Sequence, residues 1–235
     1  MKLTIIIPLF NEKNSIIKLL NLIENEIKIN KQIIIVNDCS KDSSLELINN
    51  YQFLSDHLIL NHKNNLGKGA CIKTAKKYVK GDIVIIQDAD LEYNPKDYHQ
   101  LIKPIMDGEV NVVYGSRVLG KKRYQNNNFI SLIRIFINHF LTIISNLINN
   151  QNLTDAHTCY KVCTKIVFEK IDLVENDFAF CPEFTSKISS LKEKILEVPI
   201  SYSGRTYKQG KKIKSIDGVK AIIALLKYGF FFKKK

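Results

Sequence analysis

The sequence predicts an α/β fold in which a mostly parallel sheet is covered by helices on both faces. Two observations carry that expectation. Short, unbroken apolar runs rich in Ile and Val alternate with amphipathic stretches at helical spacing, and parallel strands buried on both faces read as continuous apolar runs rather than as alternating ones. At 235 residues, 45% hydrophobic and 25% charged, the chain is also long enough to bury one large core and too apolar for disorder.

The elements follow in order. Residues 3–7 form a β-branched run closed by Pro8, followed by Ile16, Leu19, Leu20, Ile23 and Ile27 at helical spacing. Residues 32–36 are a second apolar run, ending in the polar stretch 37–44, which suits the cap of a helix carrying Leu45, Leu47 and Ile48. Residues 58–60 read as a short third strand, and Asn64-Asn65-Leu66-Gly67-Lys68-Gly69 leads into a helix with Ile72, Ala75 and Tyr78. A strand at 83–86, a helix at 96–106 and a strand at 110–114 complete the first half. The N-terminal apolar run is broken by Pro8, Asn11 and Glu12, so it reads as a first strand rather than a signal peptide.

In parallel sheets of this kind ligands sit at the carboxyl ends of the strands. The loops there are Pro8 to Glu12, residues 37–42, Asp88-Ala89-Asp90-Leu91-Glu92 and Gly115-Ser116-Arg117, and they carry acids, amides and an arginine. If residues 88–92 are extended, Asp88, Asp90 and Glu92 point to one side and converge on one hard cation, Mg²⁺ or Mn²⁺. The plainer alternative is a solvated acidic turn. Such a set of loops suits a sugar nucleotide, with acids or amides on ribose and base and a cation against the diphosphate. No G-x-G-x-x-G follows the first strand and no Walker motif occurs, which weighs against dinucleotide and ATPase readings.

The formal charge of +12 asks for an anionic partner. The five cysteines, Cys39, Cys71, Cys159, Cys163 and Cys181, are scattered and odd in number, which suits a reducing cytoplasm and gives no complete zinc pattern. Residues 129–148 are strongly apolar, but Arg134, Asn138, Thr142 and Asn146 recur every fourth position on one face, so an amphipathic helix is expected rather than a membrane span. An ordinary core-packed helix and a helix lying in a membrane surface both fit that pattern. The C-terminal region favours the second: from Arg205 to Lys235 there are ten Lys or Arg and one acid, Asp217, interleaved with apolar residues that include Phe230, Phe231 and Phe232. Single-stranded nucleic acid would use a similar composition, but clustering of the aromatics at the very end argues against it.

Pro8-Leu9-Phe10-Asn11-Glu12, Asn37-Asp38-Cys39-Ser40-Lys41-Asp42, Asn65-Leu66-Gly67-Lys68-Gly69-Ala70, Asp88-Ala89-Asp90-Leu91-Glu92 and Gly115-Ser116-Arg117 resemble, in content and order, the motifs of glycosyltransferase family 2 with its GT-A fold. The stretches Leu153 to Lys161, Phe180 to Thr185 and Val198 to Ile213 extend the resemblance to the dolichol-phosphate mannose synthase-like branch, which includes bacterial enzymes making polyprenyl-phosphate sugars. Two departures are Asn37, where many members have an acid, and Ala156-His157, where relatives often have Met and Glu.

The resemblance implies an inverting transfer of a hexose from a nucleotide sugar of the GDP-mannose or UDP-glucose type to a polyprenyl or dolichyl phosphate. It assigns Asp88, Asp90 and Glu92 to the cation, Arg117 and Arg134 to the acceptor phosphate, and Arg205 with Lys211 to the donor. Pro8, Asn11, Glu12, Asp38, Lys68 and Asp88 complete the expected donor site. For an alcohol acceptor such as diacylglycerol a base would be needed, and Asp155 and Glu183 are the candidates. A non-catalytic basic domain that binds RNA or a membrane is the remaining alternative. The expected organisation is a single catalytic domain over 1–215, with 129–148 as an interface helix inside it, and a basic amphipathic segment over 216–235. Attachment is expected to be peripheral, at the cytoplasmic face of the membrane.

Overall fold

The computed structural model describes residues 1–26, 28–120, 129–205 and 215–231. Its centre is a seven-stranded sheet in the order β3-β2-β1-β4-β6-β5-β7. The strands are β1 (Leu3–Leu9), β2 (Lys31–Asn37), β3 (Asp56–Asn61), β4 (Ile83–Ile86), β5 (Val112–Ser116), β6 (Lys161–Thr164) and β7 (Ile195–Pro199). β1 pairs in parallel with β2 and β4, β2 with β3, and β5 with β7, whereas β6 runs antiparallel between β4 and β5. The fold is GT-A, as expected from the sequence.

The inner strands have the composition that their position requires. Ile5, Ile6, Ile7, Ile33, Ile34, Ile35 and Ile85 are fully buried, because helices cover both faces and leave no wet side for polar residues. The helices are α1 (Ile16–Glu26), α2 (Ser44–Asn49), α3 (Lys68–Lys76), α4 (Tyr98–Met106), α5 (Phe129–Asn149), α6 (Lys165–Lys170), α7 (Phe180–Ser190) and α8 (Ser215–Leu226). α1 places Ile16, Leu19, Leu20 and Ile23 in the core at the expected spacing. A 3₁₀ turn, Pro95–Asp97, leads into α4, with Asn94 capping it by accepting from the Lys96 N–H.

β6 brings the chain back between β4 and β5 and carries a lysine into the core. Lys161 is 1% exposed; its Nζ donates to Ala156 O at 2.9 Å and lies 3.7 Å from the centre of the Tyr114 ring. The carbonyl and the ring face replace water around the ammonium. Burial still holds its pKa below the ordinary lysine value.

α5 buries Leu141 together with several polar residues and leaves most of its apolar ones exposed. Thr142, Ser145 and Asn149 are buried, and Asn146 is tied to the backbone of Leu153 through both its Oδ1 and its Nδ2. Ile133, Phe136, Ile137, Phe140, Ile143 and Leu147 are exposed, Leu147 by 78%. α8 packs beside it and also exposes Ile216, Val219, Ile223 and Leu226. Among the described residues, no helix is long and apolar enough to cross a membrane.

Candidate active site

The carboxyl ends of β1, β2, β4 and β5 meet at one rim of the sheet. Because β6 is antiparallel, the segment entering it, residues 153–160, arrives at the same rim. The backbone takes the left-handed conformation at Asn11, Cys39 and Leu91, with φ of 49°, 60° and 60°, so the chain turns sharply where β1, β2 and β4 end.

Several expected donor residues hold the site's own loops together. Asn11 Oδ1 accepts the Lys41 N–H at 2.7 Å, and the Asn11 and Glu12 N–H groups donate to Ser40 Oγ and Ser44 Oγ. Pro8 pairs with Val36 inside the sheet. Asp38 is 3% exposed and accepts from the Leu66 and Gly67 N–H groups at 2.9 and 2.7 Å, while its Oδ1 lies 2.7 Å from His62 Nδ1. It thereby pins the loop that opens α3. Gly67 has φ of +100°, and a Cβ there would stand 2.5 Å from Asn176 O, so this loop needs glycine. Asp38, His62 and Cys71 have potential ligand atoms within 4.8 Å of one another. Their groups are already engaged: His62 Nε2 meets Thr74 Oγ1, and burial pushes the Cys71 thiol pKa up, which keeps it protonated.

The acidic turn departs from the extended geometry expected of it. β4 ends at Ile86, Leu91 takes a positive φ, and the Glu92 N–H closes back on Asp90 Oδ1 at 3.1 Å. The three carboxylates therefore do not line up at alternate positions: Asp88 has its own partner, whereas Asp90 and Glu92 share Arg205. Asp88 pairs with Lys68, whose Nζ also lies 3.3 Å from Cys159 Sγ. Asp90 accepts from Arg205 Nη2 at 3.0 Å. Glu92 accepts from the Tyr202 hydroxyl at 2.6 Å and from the Arg205 N–H at 2.7 Å. The Arg205 guanidinium also grips both oxygens of Glu12, at 2.9 and 3.0 Å.

Four carboxylates, of Glu12, Asp88, Asp90 and Glu92, thus meet two cationic side chains, Lys68 and Arg205, in these contacts. Burial, reinforced by Asp88 and Glu92, pushes the Asp90 carboxyl up to about 7 despite Arg205. A hard-oxygen cluster with a formal surplus of two negative charges fits a divalent cation. Asp88 and Asp90 are the residues that could hold one.

On the other side of Tyr202 lies a second charged pair. Arg117 Nε and Nη2 donate to Asp155 Oδ2 and Oδ1, both at 2.7 Å, and the Arg117 N–H adds a third bond at 3.1 Å. Burial alone would raise the Asp155 carboxyl, but Arg117 outweighs it and holds the group below the ordinary carboxylate value. Glu197 on β7 fixes the backbone beneath by accepting the Thr154 and Asp155 N–H groups at 2.6 and 2.9 Å. The guanidinium carbon of Arg117 lies 5.2 Å from the centre of the Tyr202 ring.

The structure does not bring Glu183 to this rim. It is fully buried on α7, where it accepts the Val174 and Glu175 N–H groups and pairs with Lys187. Arg134 belongs to α5, but its side chain lies outside the described residues, as does Lys211. Sequence reasoning gave no role to Tyr202, Glu197 or His62. Tyr202 lies within the Val198 to Ile213 stretch, but its contacts with Glu92 and Arg117 come from 110 and 85 positions away.

A mostly parallel sheet with an acid-rich turn at its carboxyl rim and a second charged pair beside it is the arrangement of the GT-A class. The family model for glycosyl transferase family 2 matches residues 4–172, and the chain belongs to that family; it is a glycosyltransferase. An uncharacterized protein of Methanocaldococcus jannaschii is 27% identical, covering 97% of this chain and 92% of its own length. A dolichyl-phosphate beta-glucosyltransferase of Trichomonas vaginalis is also 27% identical, over 97% of this chain and 73% of its own length. Among solved structures, glucosyl-3-phosphoglycerate synthase of Mycobacterium tuberculosis with Mg²⁺ and uridine diphosphate superposes with a TM-score of 0.71, covering 97% of this chain and 79% of that one. At 14% identity this is a likeness of fold.

Proposed function

We propose that the protein transfers a hexose, with inversion, from a nucleotide sugar of the UDP-glucose or GDP-mannose type to a polyprenyl or dolichyl phosphate at a membrane surface. The observation that carries this reading is the inverted polarity of α5. Its exposed apolar residues point away from the core, as do those of the neighbouring α8, and such a surface suits the headgroup and acyl boundary of a bilayer. The similarity to dolichyl-phosphate beta-glucosyltransferases supports a lipid-phosphate acceptor.

Asp88 and Asp90 would hold Mg²⁺ or Mn²⁺, which when bound supplies positive charge to the leaving diphosphate. Lys68 and Arg205 add charge to the same pole, and Arg205 reaches it from a segment that covers the acidic turn. Arg117 receives the acceptor phosphate. Its contacts with Asp155 use Nε and Nη2 and leave further guanidinium donors for the ligand. A phosphate monoester has its second pKa near about 6 and is already anionic at neutral pH, so no general base is required. Asp155, held ionised by Arg117, then serves to fix the arginine in line with the donor.

The test is incubation of the protein with labelled UDP-glucose or GDP-mannose, Mn²⁺ and polyprenyl phosphate in vesicles. A labelled lipid-phosphate sugar is the expected product. A labelled product with diacylglycerol, and none with polyprenyl phosphate, refutes the acceptor assignment.

A further inference from the structure

We propose that the C-terminal helical segment, α8 with the turn Lys227–Phe231 that follows it, is a positioning element of the donor site: it clamps residues 174–177, on which the loop carrying Lys68 rests. The inference rests on the transferase reading above and gives this segment work on the donor side of the protein.

Residues 174–177 are the seat of that loop. α3 starts without a side-chain cap. Its Ala70 N–H, one of the amides that a helix start leaves without an intrahelical partner, donates to Asn176 O at 2.9 Å. Lys73, further along α3, donates to Val174 O at 2.7 Å and to Asn176 Oδ1. A Cβ at Gly69 would collide with Glu175 O, as one at Gly67 would with Asn176 O, so the two backbones touch at both glycines. The Lys68 Nζ lies 5.6 Å from the centre of the ring of Phe180, the first residue of α7.

The seat has no regular secondary structure and is held from two sides. From within, the fully buried Glu183 of α7 accepts the Val174 and Glu175 N–H groups at 2.7 and 2.9 Å. From the other side, the C-terminal segment supplies three donors. Lys220 Nζ donates to Asp177 Oδ2 at 2.5 Å, while Lys227 Nζ and the Tyr228 hydroxyl both donate to Glu175 Oε1, at 2.9 and 2.7 Å. Tyr228 is fully buried and forms, with Ala179 and Ala224, a small apolar cluster apart from the main core. Burial would raise the Glu175 carboxyl, but the bonds from Tyr228 and Lys227 hold it below the ordinary carboxylate value. Asp177 also accepts the Ala179 N–H at 2.9 Å, so one carboxylate joins α8 to the approach to α7. The contacts thus run without a break from α8 through Glu175 and Asp177 to Asn176, and from there to the start of α3 and Lys68.

Three measurements on the full chain without lipid test the clamp: binding of uridine diphosphate or guanosine diphosphate with Mn²⁺, binding of Mn²⁺ alone, and amide hydrogen exchange. Glu175→Ala removes the acceptor of two bonds and adds a net positive charge, so a simple field effect would tighten nucleotide binding. Loss of the clamp is expected to weaken it instead, by about 5-fold or more. Tyr228→Phe removes one bond and no charge, and is expected to weaken it by about 2-fold or more. Exchange of the Ala70 amide should speed up in both variants. Mn²⁺ binding alone should stay within about 2-fold, because the clamp touches none of the acids of the turn after β4. Faster exchange at Ala70 with unchanged nucleotide affinity overturns the proposal and leaves the transferase reading standing. If Glu175→Ala fails to fold, Tyr228→Phe decides on the same readouts. If the unmodified chain binds neither nucleotide in the presence of Mn²⁺, the donor reading itself falls.

Discussion

Replacing Asp155 with asparagine keeps the shape of the Arg117 partner and removes its charge. The carboxylate accepts two guanidinium bonds at 2.7 Å and a main-chain bond at 3.1 Å, and the two side chains are only 16% and 4% exposed. An asparagine amide turned towards Arg117 would set donor against donor at one of these contacts. Stripping the counter-ion from a buried pair costs about 3–5 kcal/mol. The remaining exposure of Arg117 and the Tyr202 ring beside it place the value near the lower end, about 3 kcal/mol. For a chain of this length that corresponds to roughly 6–12 °C in Tm.

Thermal or urea unfolding measures the loss, and KM for polyprenyl phosphate should rise while KM for the sugar nucleotide holds. The pH dependence has a definite sign. Asp155 is held below its ordinary value of 3.8, so its contribution is complete above that pH and is lost as pH falls through the folded value. The gap between parent and variant should therefore close in acid. An Asp155→Asn protein with unchanged stability and a collapsed kcat would refute the reasoning, since that is how a general base would behave.

Three further outcomes follow from the geometry. His157 has a buried Nε2 without a partner, and burial, with Lys161 next, lowers its pKa from 6.5 to about 4. The unfolded chain therefore gains a proton between those values that the folded chain refuses, and stability falls with decreasing pH by up to about 3 kcal/mol; unfolding of His157→Gln followed from pH 7 to 4 should show a shallower decline. Phe136→Glu with Phe140→Glu should lower co-sedimentation with anionic vesicles at least several-fold and shift Tm by little, because both rings are exposed. Gly67→Ala should lower Tm by several degrees and weaken sugar-nucleotide binding, because its Cβ collides with Asn176 O in a loop held by Asp38.

The parallel half of the sheet was legible in the sequence because its strands are buried on both faces and their apolar runs stand out against helical spacing. β6 and β7 were not. Lys-Val-Cys-Thr is four residues opening with a buried lysine, and Ile-Leu-Glu-Val-Pro contains the Glu197 that braces residues 154–155. Local pattern carries no sign of either demand. In the site, residue types were legible and directions were not. Asp88, Asp90 and Glu92 stood out, but the positive φ at Leu91 that folds the turn back and puts Asp90 and Glu92 on Arg205 is invisible to a spacing argument. The grip of Arg205 on Glu12 spans 193 positions. For α5, the two sequence alternatives excluded each other only in name. The helix packs on the domain through Leu141, Thr142, Ser145 and Asn149 and leaves most of its apolar residues facing outward.

The inverted polarity of α5 also divides its positions by how much substitution they tolerate. Its inward side includes directional bonds, such as the pair between Asn146 and Leu153, and few side chains reproduce a donor and an acceptor at fixed angles. Its outward side asks only for bulk and apolarity. Saturation mutagenesis should therefore reverse the usual profile of a surface helix: leucine, isoleucine and phenylalanine should interchange freely at 136, 140 and 147, while Asn146 should admit almost nothing.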